Sequence, residues 1–545
     1  MIFNLAKKST LIVEDFAEFA RSVRAMLHTL GATNVDIVYN AEDAIESCKN
    51  RKYDVVLSDY NLGQKKDGQQ LLEELSKYKM LKSNCVFLML TAENTSAMVM
   101  GAVEYQPDGY IAKPFTANLL KSRLQKIIEK KDILQTISRP VANKKWDEAL
   151  INIQQILQEY PKYKMSCLRY KFQVLKEQKK LDKALELVTQ IVADRPIPWA
   201  MQGVGEIFYL KKDLDKASEI FKHLITEFPM ALVGYDWLAK IQKKIGQPIE
   251  AQITLTKAIE KSPKALQRQK NLGAIAEINN DLPIMTKAYR NAVKCSKNSA
   301  FASPDEYIKL TTALSREITQ NTDIISDRII NEVEVIFETL NKSFTSSSAA
   351  QLRSNVAHAA FCRASKDQDK ESKYLKLAEK QFENLDEQVS TDVSLEMTKS
   401  LNVLGKSELA ENILSETIQQ NLDDPEFIAA ASKITSNKKL IETSKRASQH
   451  NTKAINHFKL KKYSQAIESF EKAHELSPKN INISLNYVQS LLKQIQSNVN
   501  SRNDKLIQTA DQLMSSMPNL AYSDERFNRF SELNRLTQLM LQNKN

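Results

Sequence analysis

Glycine is scarce in this sequence: only 11 of the 545 residues are glycine. A long α/β enzyme needs more glycines for its many tight turns, so the low number predicts that most of the chain is helical. The sequence also lacks any run of about 18 apolar residues, so it predicts no transmembrane helix. Its five cysteines lie far apart, with no Cys-x-x-Cys pair and no zinc-binding spacing. This pattern favours reduced, mostly buried thiols in a cytoplasmic protein.

The charge of the chain is basic, because 77 Lys and Arg residues outnumber 66 Asp and Glu residues and give a net charge of +11. Nearly all of the excess lies after residue 130 and is spread over that long segment. Nucleic-acid binding would require basic residues that cluster on one face or along one helix. The sequence has no evident cluster of this kind, so a nucleic-acid partner is not expected.

Polar residues follow short apolar runs at several places in the first 130 residues. Glu14 and Asp15 follow one such run, Asp59 ends the next, and Thr91 and Lys113 follow two more. Buried parallel strands deliver residues in these positions to the carboxyl edge of a sheet. Three acids, a hydroxyl and a lysine at one edge predict a site for a divalent metal and a phosphoryl group.

Strands and helices alternate five times over the same segment. The predicted strands lie at about 9–14, 35–38, 54–58, 86–90 and 109–112, and the predicted helices near 17–30, 41–50, 68–78, 95–104 and 116–130. Alternation of this kind predicts a doubly wound, five-stranded parallel sheet with helices on both faces.

These motifs, in this order, resemble the receiver domain of two-component response regulators, and the chemotaxis-regulator type in particular. The resemblance implies that Asp59 is the phosphoacceptor and that Glu14, Asp15 and Asp59 bind Mg²⁺ together with the carbonyl of Asn61. It implies that Lys113 pairs with the phosphoryl oxygens.

Four further residues match positions that control the state of such domains. Thr91 and Tyr110 match the switch pair, which would bias the face formed by the helix near 95–104, the fifth strand and the last helix. Tyr110 by itself would more often be a packing aromatic. Asn61 and Glu93 match the pair that sets the lifetime of the phosphoryl group, and their identities suggest fast hydrolysis. The loop after Asp59 is one residue longer than usual, which predicts an altered loop and a retained site.

Prolines and alanines recur with a period near 34 residues after residue 140. The prolines are Pro161, Pro196, Pro229 and Pro263, and an alanine lies twelve residues before each one. Small residues at Gly205, Ala239 and Gly273 allow helices to approach closely. The period and its phase resemble tetratricopeptide repeats, which implies an all-α superhelical repeat array.

The predicted domains are a receiver domain at 1–130, tetratricopeptide repeats at 131–300, degenerate helical repeats at 301–445, and a tetratricopeptide repeat with capping helices at 446–545. Lysine pairs such as Lys179-Lys180 and Lys211-Lys212 recur at one repeat position. They could form a basic stripe for an acidic partner, but a place in the turn between paired helices explains them better.

The combination predicts a response regulator without enzymatic output. A sensor histidine kinase would phosphorylate Asp59, and the array would bind an unknown protein partner. Two other interpretations stay open from the sequence. The receiver could compete for phosphoryl groups as a phosphate sink, or it could be inert within a constitutive scaffold.

Overall fold

The fold is known from a computed structural model of the chain. It describes residues 5–63, 65–92, 106–320, 327–385, 388–422, 424–435, 437–497, 504–518, 520, 524 and 526–542. Residues 1–313 form one compact unit and residues 314–545 a second. No helix in these ranges is both long enough and apolar enough to cross a membrane.

The first unit begins with a five-stranded sheet whose strands are all parallel. The strands are β1 (Ser9–Val13), β2 (Asn34–Val38), β3 (Val55–Asp59), β4 (Val86–Thr91) and β5 (Gly109–Ala112), in the order β2-β1-β3-β4-β5. In register, Val13 pairs with Ser58, Asp59 with Leu90, and Thr91 with Ala112, so the strands end together at one edge. The predicted doubly wound sheet is confirmed.

Helices cover both faces of this sheet. They are α1 (Ala17–Thr29), α2 (Ala41–Asn50), α3 (Gly68–Lys77) and α4 (Ala117–Ala142). One apolar core lies between the sheet and α1 and α4, and another between the sheet and α2 and α3. The helix predicted near 95–104 lies outside the described residues.

Helix α4 is longer than predicted, since it was expected to end near residue 130 and ends at Ala142. Its last turns carry Leu134, Ile137 and Val141, which are buried against the helix that follows. Helix α4 therefore packs on the sheet with its first turns and on α5 with its last turns.

A series of helices joined by short connections follows α4, and the last of this series extends beyond residue 313, where the first unit ends. They are α5 (Trp146–Glu159), α6 (Lys164–Glu177), α7 (Leu181–Asp194), α8 (Pro198–Leu210), α9 (Leu214–Glu227), α10 (Leu232–Lys244), α11 (Pro248–Lys261), α12 (Leu266–Ile278), α13 (Leu282–Ser296) and α14 (Pro304–Gln320). Several of these helices begin or end at or beside a proline. Proline separates helices because it has no main-chain N–H to donate to a helical hydrogen bond.

The second unit is also helical in its described part. Its helices are α15 (Asp327–Ser343), α16 (Ser348–Ala364), α17 (Gln368–Glu383), α18 (Thr391–Val403), α19 (Ser407–Gln420), α20 (Pro425–Ala431), α21 (Lys438–Lys459), α22 (Tyr463–Leu476), α23 (Ile481–Ser497), α24 (Asp504–Ser516) and α25 (Phe527–Gln542).

Side-chain sizes within a helix pair are complementary at two positions sixteen residues apart. Where the first helix has Gly205 or Gly273, the second has an aromatic residue, Phe221 or Tyr289. The pair between them is Ala239 with Leu255. In the pair formed by Phe172 and Val188, the larger residue is on the first helix and the smaller one is on the second. The two side chains together thus fill a space of similar size in each helix pair, as close packing requires.

The turns between paired helices place one residue in the left-handed region, with φ between 55° and 79°. These residues are Lys144, Lys179, Lys212, Gly246, Asn280, Lys366, Gly405 and Lys461. After Lys212, the amide of Asp213 donates to the carbonyl of Phe208 at 3.0 Å, which closes the end of α8 in a Schellman motif. The lysine pairs therefore lie in turns, as the turn interpretation predicts.

We expect Lys212→Gly to stabilise the α8–α9 pair by about 0.5 kcal/mol, because the strain of a non-glycine residue at positive φ exceeds the extra chain entropy of glycine. Hydrogen exchange of peptides from both helices measures the change. Lys222→Gly, at an exposed position inside α9, is the matched control and should destabilise the pair by about 1 kcal/mol. Destabilisation by both substitutions would contradict the left-handed turn.

Candidate functional site

Four strands bring the predicted site residues to one edge of the sheet. Asp59 is the last residue of β3 and Thr91 the last of β4, while Glu14 and Lys113 directly follow β1 and β5. Backbone hydrogen bonds continue past the strands, since the amide of Lys113 donates to the carbonyl of Thr91 at 2.7 Å. The amide of Tyr60 donates to the carbonyl of Leu90 at 2.8 Å. The pairing of the sheet therefore fixes the backbone on which the site is built.

Lys113 lies between two carboxylates. Its Nζ is 2.8 Å from Oδ2 of Asp59 and 2.8 Å from Oε2 of Glu14. The ammonium also lies 4.5 Å from the centre of the Phe19 ring, which in turn packs edge-on against Phe115 at 5.7 Å. Attraction between the cation and the ring face adds to the two ion pairs in holding the lysine in place.

The three carboxylates of Glu14, Asp15 and Asp59 form a compact cluster, with one oxygen from each within 4.8 Å of the others. Glu14 is buried, Asp59 nearly so, and Asp15 is exposed. Burial raises the pKa of Glu14, as do the charges of Asp59 and Asp15, while the bond to Lys113 opposes this rise. Repulsion among these groups is relieved by a cation, and hard carboxylate oxygens suit Mg²⁺. The donor set therefore fits a magnesium ion, with the open side at Asp15.

The remaining predicted residues that the structure describes lie in different environments. Thr91 is largely buried at the end of β4, and Asn61 is exposed two residues after Asp59. Tyr110 is half-buried against the core under α2 and α3, and burial raises its pKa. This placement is compatible both with packing and with the predicted switch role. Glu93 lies outside the described residues.

Gly68 is a residue of the site that the sequence did not single out. A Cβ atom at this position would lie 2.1 Å from the carbonyl oxygen of Asp59. The amide of Gly68 donates to the carbonyl of Tyr60 at 2.8 Å, and Oγ of Ser58 donates to the carbonyl of Asp59 at 3.0 Å. Only glycine therefore lets the start of α3 approach the main chain of Asp59 this closely.

The start of α3 also contains a signal that was available in the sequence. Asp67 caps the helix by accepting from the amide of Gln70 at 2.8 Å, and the Gln70 side chain accepts from the amide of Asp67 at 3.1 Å. This reciprocal capping box fixes the helix start immediately after the cap. The sequence predicts this helix near 68–78, and the capping box places its first residue at Gly68.

A doubly wound parallel sheet with three carboxylates and a lysine at the carboxyl edge is the architecture of response-regulator receiver domains. Comparison with known proteins agrees with this class. The family model described as the response regulator receiver domain matches residues 10–125. A tetratricopeptide repeat model matches residues 447–480, which include the end of α21 and all of α22.

Individual relatives match the same segment. Chemotaxis protein CheY-3 of Vibrio cholerae is 36% identical over 120 residues, which span 22% of this chain and 91% of the relative. Chemotaxis protein CheY of Pseudomonas aeruginosa is 32% identical over 120 residues and is covered to 95%. The solved signal receiver domain of a modulated diguanylate cyclase from Desulfovibrio desulfuricans is 27% identical, with 23% of this chain and 97% of that chain covered and a TM-score of 0.21. The chain belongs to the response-regulator receiver family, and it joins this domain to a tetratricopeptide-type helical array.

Proposed function

We propose that the chain is a cytoplasmic response regulator of a two-component phosphorelay, which accepts a phosphoryl group on Asp59 from a sensor histidine kinase. The observation that carries the proposal is the position of Lys113, whose ammonium lies 2.8 Å from both Asp59 and Glu14 beside a carboxylate cluster. In this proposal the tetratricopeptide array is the output, and it binds a protein partner.

The residues of the site divide the chemistry of phosphoryl transfer among them. An Asp59 oxygen attacks phosphorus, and the donor's leaving group departs with the bonding electron pair. The site must stabilise negative charge on the phosphoryl oxygens, and positioning and electrostatics supply most of that catalysis. Lys113 contributes one positive charge at hydrogen-bonding distance from Asp59. Mg²⁺, when held by Glu14, Asp15, Asp59 and the carbonyl of Asn61, would supply further positive charge.

The state after transfer differs from the unmodified state by charge and by hydrogen-bond acceptors. A phosphoryl group adds roughly −1.5 to −2 charge and new acceptor oxygens. Lys113 would move its pairing from the carboxylate to the phosphoryl oxygens, and Thr91 would donate its hydroxyl to one of them. In this proposal Tyr110 follows Thr91, and Asn61 and Glu93 set how long the group persists. The domain would catalyse only its own phosphorylation and dephosphorylation.

The test is incubation of the full chain with acetyl phosphate and Mg²⁺, followed over time by intact-protein mass spectrometry. We expect wild type to gain one phosphoryl group, Asp59→Asn to gain none, and removal of Mg²⁺ to abolish labelling. Asp43→Asn, which changes an exposed acid on α2, is the matched control and should label as wild type does. A folded wild-type chain that gains no label would overturn the proposal.

A further inference from the structure

We propose that the loop of residues 297–301 is an intramolecular docking surface for the receiver, and that phosphorylation of Asp59 weakens this contact. We call residues 297–301, which join α13 to α14, the docking loop. The proposal rests on the proposed function and names how that site would act on the array. It concerns α3 and the loop after β3, whereas the predicted switch residues would bias the face formed by the helix near 95–104, the fifth strand and the last helix.

In the described part of the chain, the hydrogen bonds between the docking loop and the receiver include three with main-chain acceptors. Lys77 Nζ donates to the carbonyl of Ala300 at 2.7 Å. The Asn298 side-chain amide donates to the carbonyl of Lys65 at 3.0 Å, and that of Gln70 donates to the carbonyl of Lys297 at 3.5 Å. In addition, Lys77 Nζ lies 4.8 Å from the centre of the Phe301 ring. The donor and acceptor of each of these hydrogen bonds are separated by more than 220 positions in the sequence. The contact therefore joins the receiver to the connection between α13 and α14.

The contact depends on backbone positions on both sides. Each of the three acceptors is a main-chain carbonyl, on Lys65, Lys297 and Ala300. Asn298 itself has φ of 70°, a left-handed conformation that asparagine adopts more readily than most residues. Displacement of the main chain on either side therefore moves an acceptor relative to its donor.

The docking contact is bordered by open space. A cleft of about 880 Å³ lies beside it, between the receiver and the α11–α12 turn. Tyr60 and Asp67 line it on the receiver side, and Lys264, Cys295 and Phe301 on the array side. The positive charge of Lys264 acts on Asp67 and opposes the rise in pKa that burial of Asp67 causes.

The docked loop of the receiver begins at the phosphoacceptor. Tyr60, which lines the cleft, directly follows Asp59, and Lys65 and Asp67 lie in the same connection to α3. A phosphoryl group on Asp59 places negative charge and new acceptor oxygens directly before this connection. In this proposal the connection shifts in response and moves away from Asn298. Since linkage is reciprocal, a weaker contact must also favour phosphorylation.

The test uses Cys295 as a native reporter in the cleft, because it is partly exposed whereas the other four cysteines are buried. The rate of its alkylation by iodoacetamide, read by peptide mass spectrometry, reports opening of the cleft. Hydrogen exchange of a peptide covering the docking loop gives a second readout. Lys77→Ala combined with Asn298→Gly removes two of the three donors and keeps the left-handed backbone at position 298.

The matched control is Lys121→Ala combined with Asn280→Gly. Lys121 is exposed on α4, and Asn280 is an exposed asparagine at positive φ that lies away from the docking loop in sequence. We expect the docking variant, and not the control, to alkylate Cys295 about three- to tenfold faster, which is the effect of losing one to two hydrogen bonds. The docking variant should also be phosphorylated to a greater extent by acetyl phosphate. Phosphorylated wild type should resemble the docking variant, and Asp59→Asn treated in the same way should not.

The outcomes separate this proposal from the proposed function. Equal alkylation of the docking variant and its control would show that the contact does not form in solution. Normal labelling of wild type with unchanged or slower alkylation would overturn the coupling and leave the phosphoacceptor role intact. Absence of label on wild type would overturn the role of Asp59 and with it the coupling. The comparison of the two unphosphorylated variants would still decide whether the docking contact exists.

Discussion

Replacing Lys113 with alanine is expected to slow labelling of Asp59 by acetyl phosphate about a hundredfold, the usual cost of removing one group that stabilises transition-state charge. The ammonium is the shared partner of Asp59 and Glu14 at 2.8 Å from each, so its loss leaves two carboxylates facing one another. In the wild-type protein, burial raises the pKa of Glu14 and the hydrogen bond to Lys113 lowers it. Loss of Lys113 should therefore raise the pKa of Glu14 further. A more readily protonated Glu14 would bind Mg²⁺ less well at neutral pH. The initial labelling rate and its dependence on Mg²⁺ concentration measure both effects.

Lys126→Ala is the control for this substitution, since Lys126 is an exposed lysine on α4 and should label as wild type does. Lys113→Arg keeps the charge but changes the geometry, and we expect it to recover only part of the rate. If Lys113→Ala labels as fast as wild type while remaining folded, the lysine has a structural role only. The assignment of the charge-stabilising group would then be wrong.

The central residues of the candidate site were predictable because a buried strand appears in the sequence as a short apolar run. An apolar run that ends in a polar residue identifies Glu14, Asp59, Thr91 and Lys113 without knowledge of the fold. Parallel pairing then brings these positions to one edge. The contacts that hold them were not predictable. The closeness of Gly68 to the Asp59 carbonyl and the position of Phe19 beside Lys113 arise from the packing of helices against the sheet.

The array shows the same division between local and long-range information. Its helices and their prolines follow from a period near 34 residues, which packing of identical units imposes on the sequence. The end of α4 was placed too early, because the apolar face of Leu134, Ile137 and Val141 is recognised only when its partner helix is known. The docking loop carries no periodic signal at all. Its hydrogen bonds to Lys65 and Lys77 connect segments that no sequence pattern relates.

Complementary packing in the array leads to a prediction about Gly205 and Phe221. A Cβ at position 205 would lie 2.6 Å from both Cε2 and Cζ of Phe221. That ring is fully buried and stacks on Trp237 with a centroid separation of 5.7 Å, so it has no room to turn away. We expect Gly205→Ala to destabilise the α8–α9 pair by about 2 kcal/mol, since overpacking exceeds the better helix propensity of alanine.

The compensating change is Phe221→Leu, which by itself should cost about 1–2 kcal/mol through the space that it leaves. Together the two substitutions reproduce the Ala239–Leu255 pair that occupies the same positions in the next repeat. The double variant should therefore be more stable than the sum of the single changes predicts, by at least about 1 kcal/mol. Hydrogen exchange of α8 and α9 peptides in the full chain measures each corner of this cycle. Additive losses would mean that the two positions do not share one space, and the repeat-to-repeat alternation of sizes would then need another cause.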